Sequence, residues 1–422
     1  MWDVLNERAL LIREPHEVRI LRLVRDSGEI SRIEIAKLCN LDKSYVGDLV
    51  AKLIHAGFLE ETGKLEKGKK VGRKRILLQF RPLAGLVAGV DIGMTHASVA
   101  LTDLNAKILQ QESFQYSLET SSKEVISRVA LAIHTLLAAA NCSQSKLVGI
   151  GIGVQGVVDY ATNTLLISHN KKSWQGESLS EDLEAWFNVP VYVENDVKTM
   201  TIGEYMLGAA KGTKTSVNIW VGDGLGAGMM INGHLHRGIT SSAGEVGYNE
   251  LEAHSFYREK YPLSYRDQAM LGEILTDANF IESYRRNAAR TDEREMTVAA
   301  IVEKAKAGDE IAQQVIDEFT SLLSTLCIVV VNMLNPEVII IGGKIVQSQP
   351  KIVELLQERI HMDLLAVPAE AVRVKPAQHG ENGVILGAAG LVLYELFEPL
   401  HSLSLRANRR HKNLQFRAAD LI

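Results

Sequence analysis

The sequence predicts an α/β protein with an N-terminal winged helix-turn-helix domain and a larger body of two α/β lobes. Three observations predict it: a pair of short capped helices followed by a basic hairpin, a strand and glycine-turn pattern that occurs twice further along, and an uneven distribution of charge. We therefore divide the chain into a winged helix-turn-helix at residues 1–82, a two-lobed body at 83–398 and a basic C-terminal tail at 399–422.

Length and composition exclude several classes of protein. The chain has 422 residues, of which 46% are hydrophobic and 23% charged, so it can bury large cores and is not a disordered chain. The apolar run at 328–334 is too short to cross a bilayer, and residues 1–13 carry charges of both signs. We expect a cytoplasmic protein without a membrane partner. Its three cysteines are far apart, which excludes a disulfide framework.

Charge divides the chain into a basic head and an acidic body. Residues 1–82 hold 17 Lys and Arg against 12 Asp and Glu, a net charge of +5, and the rest holds 29 against 39, a net charge of −10. This asymmetry favours a head that meets a polyanion such as DNA. A solvated surface without a nucleic-acid partner is the alternative that charge alone leaves open.

The head begins with three short helices. Pro15 opens an amphipathic helix that we expect to end near Gly28. The run Ser31-Arg32-Ile33-Glu34 is a capping box, so a second helix begins at Ser31. Asp42 is a good N-cap for a third helix that ends at Gly57. The inner face of the second helix is predicted to hold Ile35 and Leu38.

The last two of these helices form a helix-turn-helix, in which the start of the second one contacts DNA. We therefore predict DNA contacts from Lys43, Ser44 and Tyr45, with Lys52 further along. The segments 58–62 and 75–80 can pair as the strands of a wing around a basic loop. The wing residues predicted to contact DNA are Arg73, Lys74 and Arg75. Because such cations neutralise phosphates, affinity should fall with salt. A flexible solvated linker is the alternative for the wing alone.

The body starts with a strand that runs into a tight turn. Residues 86–92 form a buried strand, and the turn carries Asp91, Gly93 and Thr95 before a hairpin and a helix. A second strand, 147–154, ends at a glycine, and a third, 189–193, ends at Glu194-Asn195-Asp196. Polar groups thus gather at strand ends, where open parallel sheets bind ligands.

The same pattern then occurs again. Residues 216–221 form a strand, the glycine turn at 222–228 includes Gly222, Asp223 and Gly224, and 229–235 form its hairpin partner. Later, the strand 338–341 leads into Gly342-Gly343-Lys344. Two similar halves imply a cleft between two lobes. Glycine turns let backbone amides approach a polyanion, although each one taken alone is also consistent with an ordinary turn.

These motifs together resemble the ROK family, named for repressors, open reading frames and kinases, within the ribonuclease H-like fold of actin and hexokinase. The resemblance covers nearly the whole chain. The N-terminal helix-turn-helix makes the sequence similar to the repressor branch of the family, of which xylose repressors are one kind. The matching segments are 91–95, 151–156, Asn170 with Trp174, 194–196, 222–228, 244–247, 335–337 and 342–343.

The resemblance implies a sugar site. In family kinases the residue matching Asp196 is the general base that takes a proton from a sugar hydroxyl, and the residue matching Asn195 holds the same sugar. Glu245 matches a sugar-binding glutamate, whereas Tyr248 replaces the family's histidine. A helix is predicted over residues 271–284, and aligning it with the family places Glu273 at a further sugar-binding glutamate by a less secure match. The implied sugar-binding set is Asn170, Asn195, Asp196, Glu245, Tyr248 and Glu273.

The sequence departs from the family at its cofactor sites. The family's zinc-binding cysteine cluster is missing, since residues 252–267 contain no cysteine and His254 stands alone, so we expect no metal. In the phosphate loops Met94 replaces a glycine, His96 a lysine and Asp223 a threonine. A carboxylate repels a triphosphate, so we expect neither ATP nor Mg²⁺ to bind and no catalytic residue, although Asp196 is retained.

The combined prediction is a sugar-responsive transcriptional regulator, most simply a repressor, of carbohydrate metabolism genes such as those for xylose. It would bind operator DNA as a homodimer or a tetramer, with a monosaccharide or sugar derivative in the interlobe cleft. The sequence leaves open which sugar binds and whether it releases or promotes DNA binding. The alternatives are an ATP-dependent sugar kinase with an accessory DNA-binding head and a regulator controlled by a protein partner. The basic tail is either a disordered extension or a docking segment.

Overall fold

The computed structural model describes residues 15–65, 76–168, 170–249, 270–288 and 296–397. The chain divides into two compact units, one made of residues 1–194 and 388–422 and the other of residues 195–387. The first unit contains the head and half of the body, and the second contains the other half. This mixed α/β architecture confirms the predicted fold class.

The head has three helices and a three-stranded sheet. Its elements are α1 (Pro15–Ser27), β1 (Glu29–Ser31), α2 (Arg32–Cys39), α3 (Lys43–His55), β2 (Leu59–Leu65) and β3 (Ile76–Phe80), with strand order β1-β3-β2. Ser31 and Asp42 cap α2 and α3 as predicted, and the Ser31–Glu34 capping box is complete. Asn40 ends α2 in the left-handed conformation, at φ 54°.

Two details of the head differ from the sequence prediction. The three-residue strand β1 was missed, because it gains its hydrogen bonds from β3, about 50 positions later. Leu38 is 58% exposed, so its predicted place on the inner face of α2 was wrong. The buried face of α2 consists of Ile35, Ala36 and Cys39.

The rest of the first unit is a five-stranded sheet with order β10-β7-β4-β5-β6. β4 and β7 are parallel, while β4, β5 and β6 form the predicted antiparallel meander. Both β4 and β7 are almost continuously buried, as expected for central strands of a covered sheet. Its elements are β4 (Leu86–Ile92), β5 (His96–Asp103), β6 (Ile108–Gln115), α4 (Ser122–Ala139), β7 (Leu147–Val154), β8 (Val157–Asp159), β9 (Thr164–Ile167), α5 (Glu181–Phe187) and β10 (Val191–Asn195).

The second unit has a five-stranded sheet with order β13-β12-β11-β14-β15. β11 pairs with β12 in an antiparallel hairpin and with β14 in parallel. The helices are α6 (Asp196–Leu207), α7 (Leu271–Ile274), α8 (Asp277–Asn287), α9 (Val298–Lys306), α10 (Glu310–Leu334), α11 (Lys344–Ser348), α12 (Lys351–Asp363) and α13 (Ala366–Ala371). The strands are β11 (Ser216–Val221), β12 (Leu225–Ile231), β13 (His234–Leu235), β14 (Val338–Gly342) and β15 (Arg373–Pro376).

The last described helix, α14 (Gly383–Phe397), begins in the second unit and ends in the first. Close to its start, a Cβ added to Gly387 would lie 2.0 Å from the Thr199 carbonyl oxygen of α6. At its other end Phe397 contacts the head, where the Arg25 guanidinium lies 4.3 Å from the centre of its ring and Phe80 meets it edge-on at 6.4 Å. Phe397 therefore joins the head to the body.

Helix α10 is the one helix within the described residues that is long and apolar enough to cross a membrane. However, 67% of its most apolar window is buried inside the protein. Its inner residues, including Phe319, Leu323 and Cys327, belong to the main hydrophobic core of the second unit. This burial is typical of a core helix.

Candidate functional site

The start of α3 presents the residues predicted to contact DNA. Lys43 and Ser44 are exposed in its first turn, and Tyr45 is 38% exposed with its ring edge-on to His16. Asp42 fixes this turn by accepting the backbone amides of Ser44 at 2.7 Å and Tyr45 at 3.3 Å. These side chains thus lie in the first turn of α3, the part of a recognition helix that contacts DNA in helix-turn-helix proteins, and their predicted DNA contacts stay predictions.

Lys52 is engaged within the head itself. Its ammonium lies 3.4 Å from Glu17 Oε1, a carboxylate that is almost fully buried on α1. The Lys52 side chain is nevertheless 63% exposed, and its predicted DNA contact stays a prediction. Arg73, Lys74 and Arg75 lie outside the described residues, so their predicted DNA contacts stay predictions.

The first glycine turn follows β4, and its backbone and the His96 side chain form contacts within the turn itself. The Gly93 amide donates to the His96 carbonyl at 3.0 Å, and the Tyr116 amide donates to the Thr95 carbonyl at 2.8 Å. His96 Nε2 lies 3.9 Å from Asp91 Oδ2, and a Cβ on Gly93 would lie 2.3 Å from the His96 ring. The turn is therefore already packed by its own side chain.

A buried lysine also contacts this turn. Lys171 Nζ donates to the Gly93 carbonyl at 2.6 Å and hydrogen bonds to the Tyr116 hydroxyl, which itself donates to the same carbonyl. The ammonium lies 4.2 Å from the centre of the Trp174 ring and 4.6 Å from that of Tyr116. Burial lowers the pKa of Lys171 to about 8, against an opposing attraction from Asp91. Sequence reasoning missed this residue.

Asn170 lies on the loop that Lys171 anchors, where it is exposed. The loop is fixed on both sides of Asn170: the Lys171 amide donates to Ser168 Oγ at 3.2 Å, and the Trp174 amide donates to the Lys171 carbonyl at 3.0 Å. The Trp174 indole donates to the Thr120 carbonyl at 3.0 Å. These hydrogen bonds hold the segment after Asn170, whose own side chain is exposed.

Asn195 and Asp196 lie at the N-terminus of α6. Asn195 is buried and caps the helix, since its Oδ1 accepts the Lys198 amide at 3.1 Å. Asp196 is half-buried and accepts the Val197 amide at 2.9 Å. The sequence predicted a helix after strand β10. Asn195, the last residue of β10, is also the N-cap of that helix, a position that favours asparagine.

Glu245 lies on a loop that is held against β12. Ala227 of β12 donates its amide to the Gly244 carbonyl at 2.8 Å, and a Cβ on Gly244 would lie 1.9 Å from the Ala227 carbonyl. Earlier in the same loop the Ser241 carbonyl accepts Lys198 Nζ at 2.5 Å. Lys198 is only 1% exposed, so a buried cation on α6 links the segment after Asn195 to the loop that carries Glu245.

Tyr248 and Glu273 belong to neighbouring segments of the second unit. The proximity of Glu245 and burial raise the pKa of Tyr248, with burial the larger cause. Gly247 and Gly272 pack backbone to backbone, since a Cβ on Gly272 would lie 3.0 Å from the Gly247 Cα. Glu273 is exposed in the first turn of α7. The predicted single helix at 271–284 was wrong, because the chain breaks after α7 and Thr276 caps a new helix.

The second glycine turn is acidic. Its turn is limited to residues 222–224, because Leu225–Gly228 already belong to β12, contrary to the predicted seven-residue turn. Asp223 is exposed, whereas Asp277 is buried beside it and its amide donates to the Gly222 carbonyl at 3.0 Å. Neither Asp277 oxygen accepts a hydrogen bond from the described residues, and Lys344 Nζ lies 3.8 Å from Oδ2.

Burial raises the pKa of the Asp277 carboxyl, Asp223 raises it further, and Lys344 lowers it. Asp277 was not singled out from the sequence. Asp277 directly follows the N-cap Thr276, a position where an acidic residue is common because it favours the helix dipole. The sequence therefore gives no sign that Asp277 lies close to a second carboxylate, Asp223.

No group of three or more His, Cys, Asp or Glu residues arranged to hold a metal occurs among the described residues. The segment in which the family carries its cysteine cluster, 252–267, including His254, lies outside them. The predicted roles of the sugar and phosphate residues stay predictions.

Comparisons with known proteins place this geometry in context. The chain is 26% identical to the xylose repressor of Caldicellulosiruptor bescii over 92% of its length and 97% of that protein. It is 25% identical to the N-acetylglucosamine repressor of Escherichia coli O6:H1, covering 84% of this chain and 86% of the other. The fold is similar to a crystal structure of a ROK family transcriptional regulator described as a homologue of the E. coli MLC protein, with a TM-score of 0.77, 21% identity and coverage of 93% and 98%.

Two family descriptions match the chain in separate segments. Residues 14–69 match the MarR family, which agrees with the winged helix-turn-helix of the head. Residues 87–395, which carry the two glycine turns and the residues around Asn195 and Glu245, match the ROK family. The chain therefore belongs to the ROK family.

Proposed function

We propose that this protein is a sugar-responsive transcriptional repressor of carbohydrate metabolism genes. One observation carries the proposal: a capped helix-turn-helix precedes a ROK body that has Asn170, Asn195, Asp196 and Glu245 at the family's sugar-binding positions and carboxylates, Asp223 and Asp277, at its second glycine turn. The names of the relatives support a sugar effector and operator DNA. Because operator DNA lies in the cytoplasm of a bacterial cell, we propose that compartment.

Loss of kinase activity is part of the same proposal. Phosphoryl transfer needs backbone amides and cations at the phosphates. The Gly93 amide is instead bonded to His96 within its own turn, and the second turn carries Asp223 next to buried Asp277. Two carboxylates repel a triphosphate. Retained Asp196 serves the sugar as a hydrogen-bond acceptor.

We further propose a homodimer on a two-fold operator. A helix-turn-helix reads one half-site, and paired heads read two half-sites one helical turn or a multiple of it apart. Sugar shifts such a regulator between states only through its different affinity for them. A higher oligomer would place further heads on the same DNA.

The test is fluorescence anisotropy of the protein on the DNA upstream of its own gene, with excess nonspecific competitor. D-xylose, D-glucose, N-acetylglucosamine and their phosphates are titrated in. We expect specific binding that one of these sugars changes at least tenfold. Binding indifferent to all sugars would contradict sugar control, and ATP-dependent sugar consumption would contradict the loss of kinase activity.

Variants separate the two halves of the function. Lys43→Ala should weaken operator binding by about tenfold, on the order of 1 to 2 kcal/mol, with sugar affinity unchanged. Asp196→Ala should abolish the sugar response with DNA affinity unchanged. Lys211→Ala removes an exposed cation in the body and is the control for charge alone. Loss of both activities in either variant would indicate misfolding instead.

A further inference from the structure

Lys171 is a buried lysine whose chemistry the proposed function leaves unused. It is 3% exposed, and its ammonium meets the Gly93 carbonyl, the Tyr116 hydroxyl and two aromatic rings. Burying an ammonium costs free energy unless hydrogen bonds and nearby charge compensate for it. Here the Gly93 carbonyl, the Tyr116 hydroxyl, two π faces and the Asp91 carboxylate offset part of that cost.

The contacts of Lys171 exclude a direct contact with an effector. The ammonium has three hydrogens, and the Gly93 carbonyl and the Tyr116 hydroxyl already accept from it, while the aromatic rings cover its remaining surface. The residue that reaches solvent is its neighbour, Asn170. Any effect of Lys171 on a sugar must therefore pass through the loop.

Another anchor of this loop to a distant segment is the Trp174 indole, four residues after Asn170, which donates to the Thr120 carbonyl at 3.0 Å. Ser168 Oγ accepts the Lys171 backbone amide, and Gln175 Nε2 donates to the Ser168 carbonyl at 3.2 Å, so both of these bonds lie within the loop. Lys171 is the residue next to Asn170 that reaches another element, since Gly93 lies 78 positions earlier at the end of β4. A fixed neighbour limits the directions in which Asn170 can point, and binding improves when such freedom is lost before the ligand arrives.

We propose that Lys171 is a positioning residue of the sugar site, whose buried ammonium fastens the Asn170 loop to the first glycine turn and so orients Asn170 for a sugar hydroxyl. This inference rests on the proposed function, because it needs a sugar that contacts Asn170. The inference also gives the first glycine turn a role. Because the Gly93 carbonyl accepts the Lys171 ammonium, this turn anchors the loop that carries Asn170.

Because Lys171 is titratable, the proposal also predicts that sugar affinity depends on pH. The titratable groups that face the ammonium are Asp91 from β4 and Tyr116 from the end of β6, and His96 from β5 reaches Asp91. Burial lowers the pKa of Lys171 to about 8, so its proton is lost between neutral and mildly alkaline pH. The neutral amine binds the Gly93 carbonyl less strongly, because a charged donor makes the stronger hydrogen bond.

The experiment is a double-mutant cycle on the full-length protein, with isothermal titration calorimetry of D-xylose, D-glucose and N-acetylglucosamine. We expect Lys171→Met to lower the affinity for the bound sugar at least tenfold, as Asn170→Ala does, and the double variant to lose no more than either single one. Non-additivity of this kind shows that Lys171 acts through Asn170. Lys172→Met, which removes the exposed neighbouring ammonium, should bind sugar as the wild type does.

The wild-type pH profile keeps the test decisive if Lys171→Met does not fold. Sugar affinity of the wild type should fall as pH rises from 7 to 9.5, with a midpoint near the pKa of Lys171, and Asn170→Ala should remove this dependence. Sugar binding that is indifferent to Lys171→Met, or fully additive losses, or a flat pH profile would overturn the inference. If the wild type binds none of the sugars, the proposed function itself fails, which is a distinguishable result.

Discussion

The two glycine turns of the body follow the same strand and hairpin pattern, but the buried charges beside them have opposite signs. The first turn is filled by a buried cation, Lys171, which the Gly93 carbonyl accepts at 2.6 Å. The second has a buried anion, Asp277, whose oxygens accept no hydrogen bond from the described residues and whose nearest cation, on Lys344, lies 3.8 Å away. The buried cation of the first turn is held by hydrogen bonds, whereas the buried anion of the second turn accepts none from the described residues.

This difference teaches that the proposed loss of phosphate binding has a different physical cause in each glycine turn. In the first turn the Lys171 ammonium and the Tyr116 hydroxyl both donate to the Gly93 carbonyl. In the second turn the carboxylates of Asp223 and Asp277 place negative charge where a phosphate would be repelled. Hydrogen bonds thus make the first turn a structural joint that the second turn lacks, while burial disfavours the charged side chain, Lys171 or Asp277, in both turns.

The largest effect should come from adding a methyl group to the glycine beside the second turn. Gly343 has φ 123°, and a Cβ there would lie 1.9 Å from the Val221 carbonyl, so Gly343→Ala should destabilise the protein by about 3 kcal/mol or more. Gly93→Ala is the matched variant in the first turn, where the clash is with the half-exposed His96 ring, which can move; its cost should be about 1 kcal/mol. Chemical denaturation measures both. Equal costs would contradict the comparison.

Alkaline pH should distinguish the interior of the first turn. The folded pKa of Lys171, about 8, lies below its usual 10.5, so the folded state loses this proton first and stability should rise from pH 8 to 10. The gain should be on the order of 2 kcal/mol and should be absent in Lys171→Met. Above pH 10 the raised pKa of Tyr116 acts in the opposite direction and lowers stability. Urea titrations across this range measure the effect, and an unchanged slope in Lys171→Met would refute it.

Acidic pH should distinguish the second turn. The pKa of Asp277 is raised, so its folded state binds a proton more tightly than the unfolded state, and its contribution to stability falls as pH rises above its usual 3.8. Asp277→Asn removes the buried charge and should stabilise the protein by about 1 kcal/mol at pH 7, with little change at pH 4. Thermal unfolding at both pH values tests this. Destabilisation at pH 7 would mean that the pair with Lys344 outweighs the burial of charge.

The smallest effect should come from Asp223→Thr, which restores the hydroxyl found in family kinases. Because Asp223 is exposed, we expect a stability change within about 0.5 kcal/mol. We also expect no binding of a nonhydrolysable ATP analogue, since Asp277 and the filled first turn remain. Titration calorimetry of this variant measures both points. ATP affinity gained by this single change would show that Asp223 alone excludes nucleotide.

Local signals made the head predictable from the sequence. Ser31 and Asp42 each bond the amides just after them, so a short window of sequence contains the whole cause of each helix start. Strand β1 escaped prediction because its partner strand is distant along the chain. The break between α7 and α8 escaped because apolar residues continue through it, although Thr276 supplied a cap that could have revealed it.

The candidate site was predictable only in part, for a related reason. Asn195 and Asp196 follow a strand and precede a helix, and such a position is visible in the sequence. Lys171 is followed by Lys172, and the sequence does not show which of two adjacent lysines is buried. In the structure Lys171 is buried and Lys172 is exposed. Burial of Lys171 depends on Gly93 and Tyr116, which are distant in sequence. No local pattern carries that information.

The contact of Phe397 with the head has a consequence for engineering this protein. The head of a modular regulator is often treated as a part that can be exchanged, yet here its surface is completed by a ring from the far end of the chain, between Arg25 and Phe80. A chimera that transplants residues 15–80 onto another body must therefore supply an aromatic residue at the position of Phe397. Without it, the transferred head would carry an uncovered apolar side chain and an arginine without its aromatic partner.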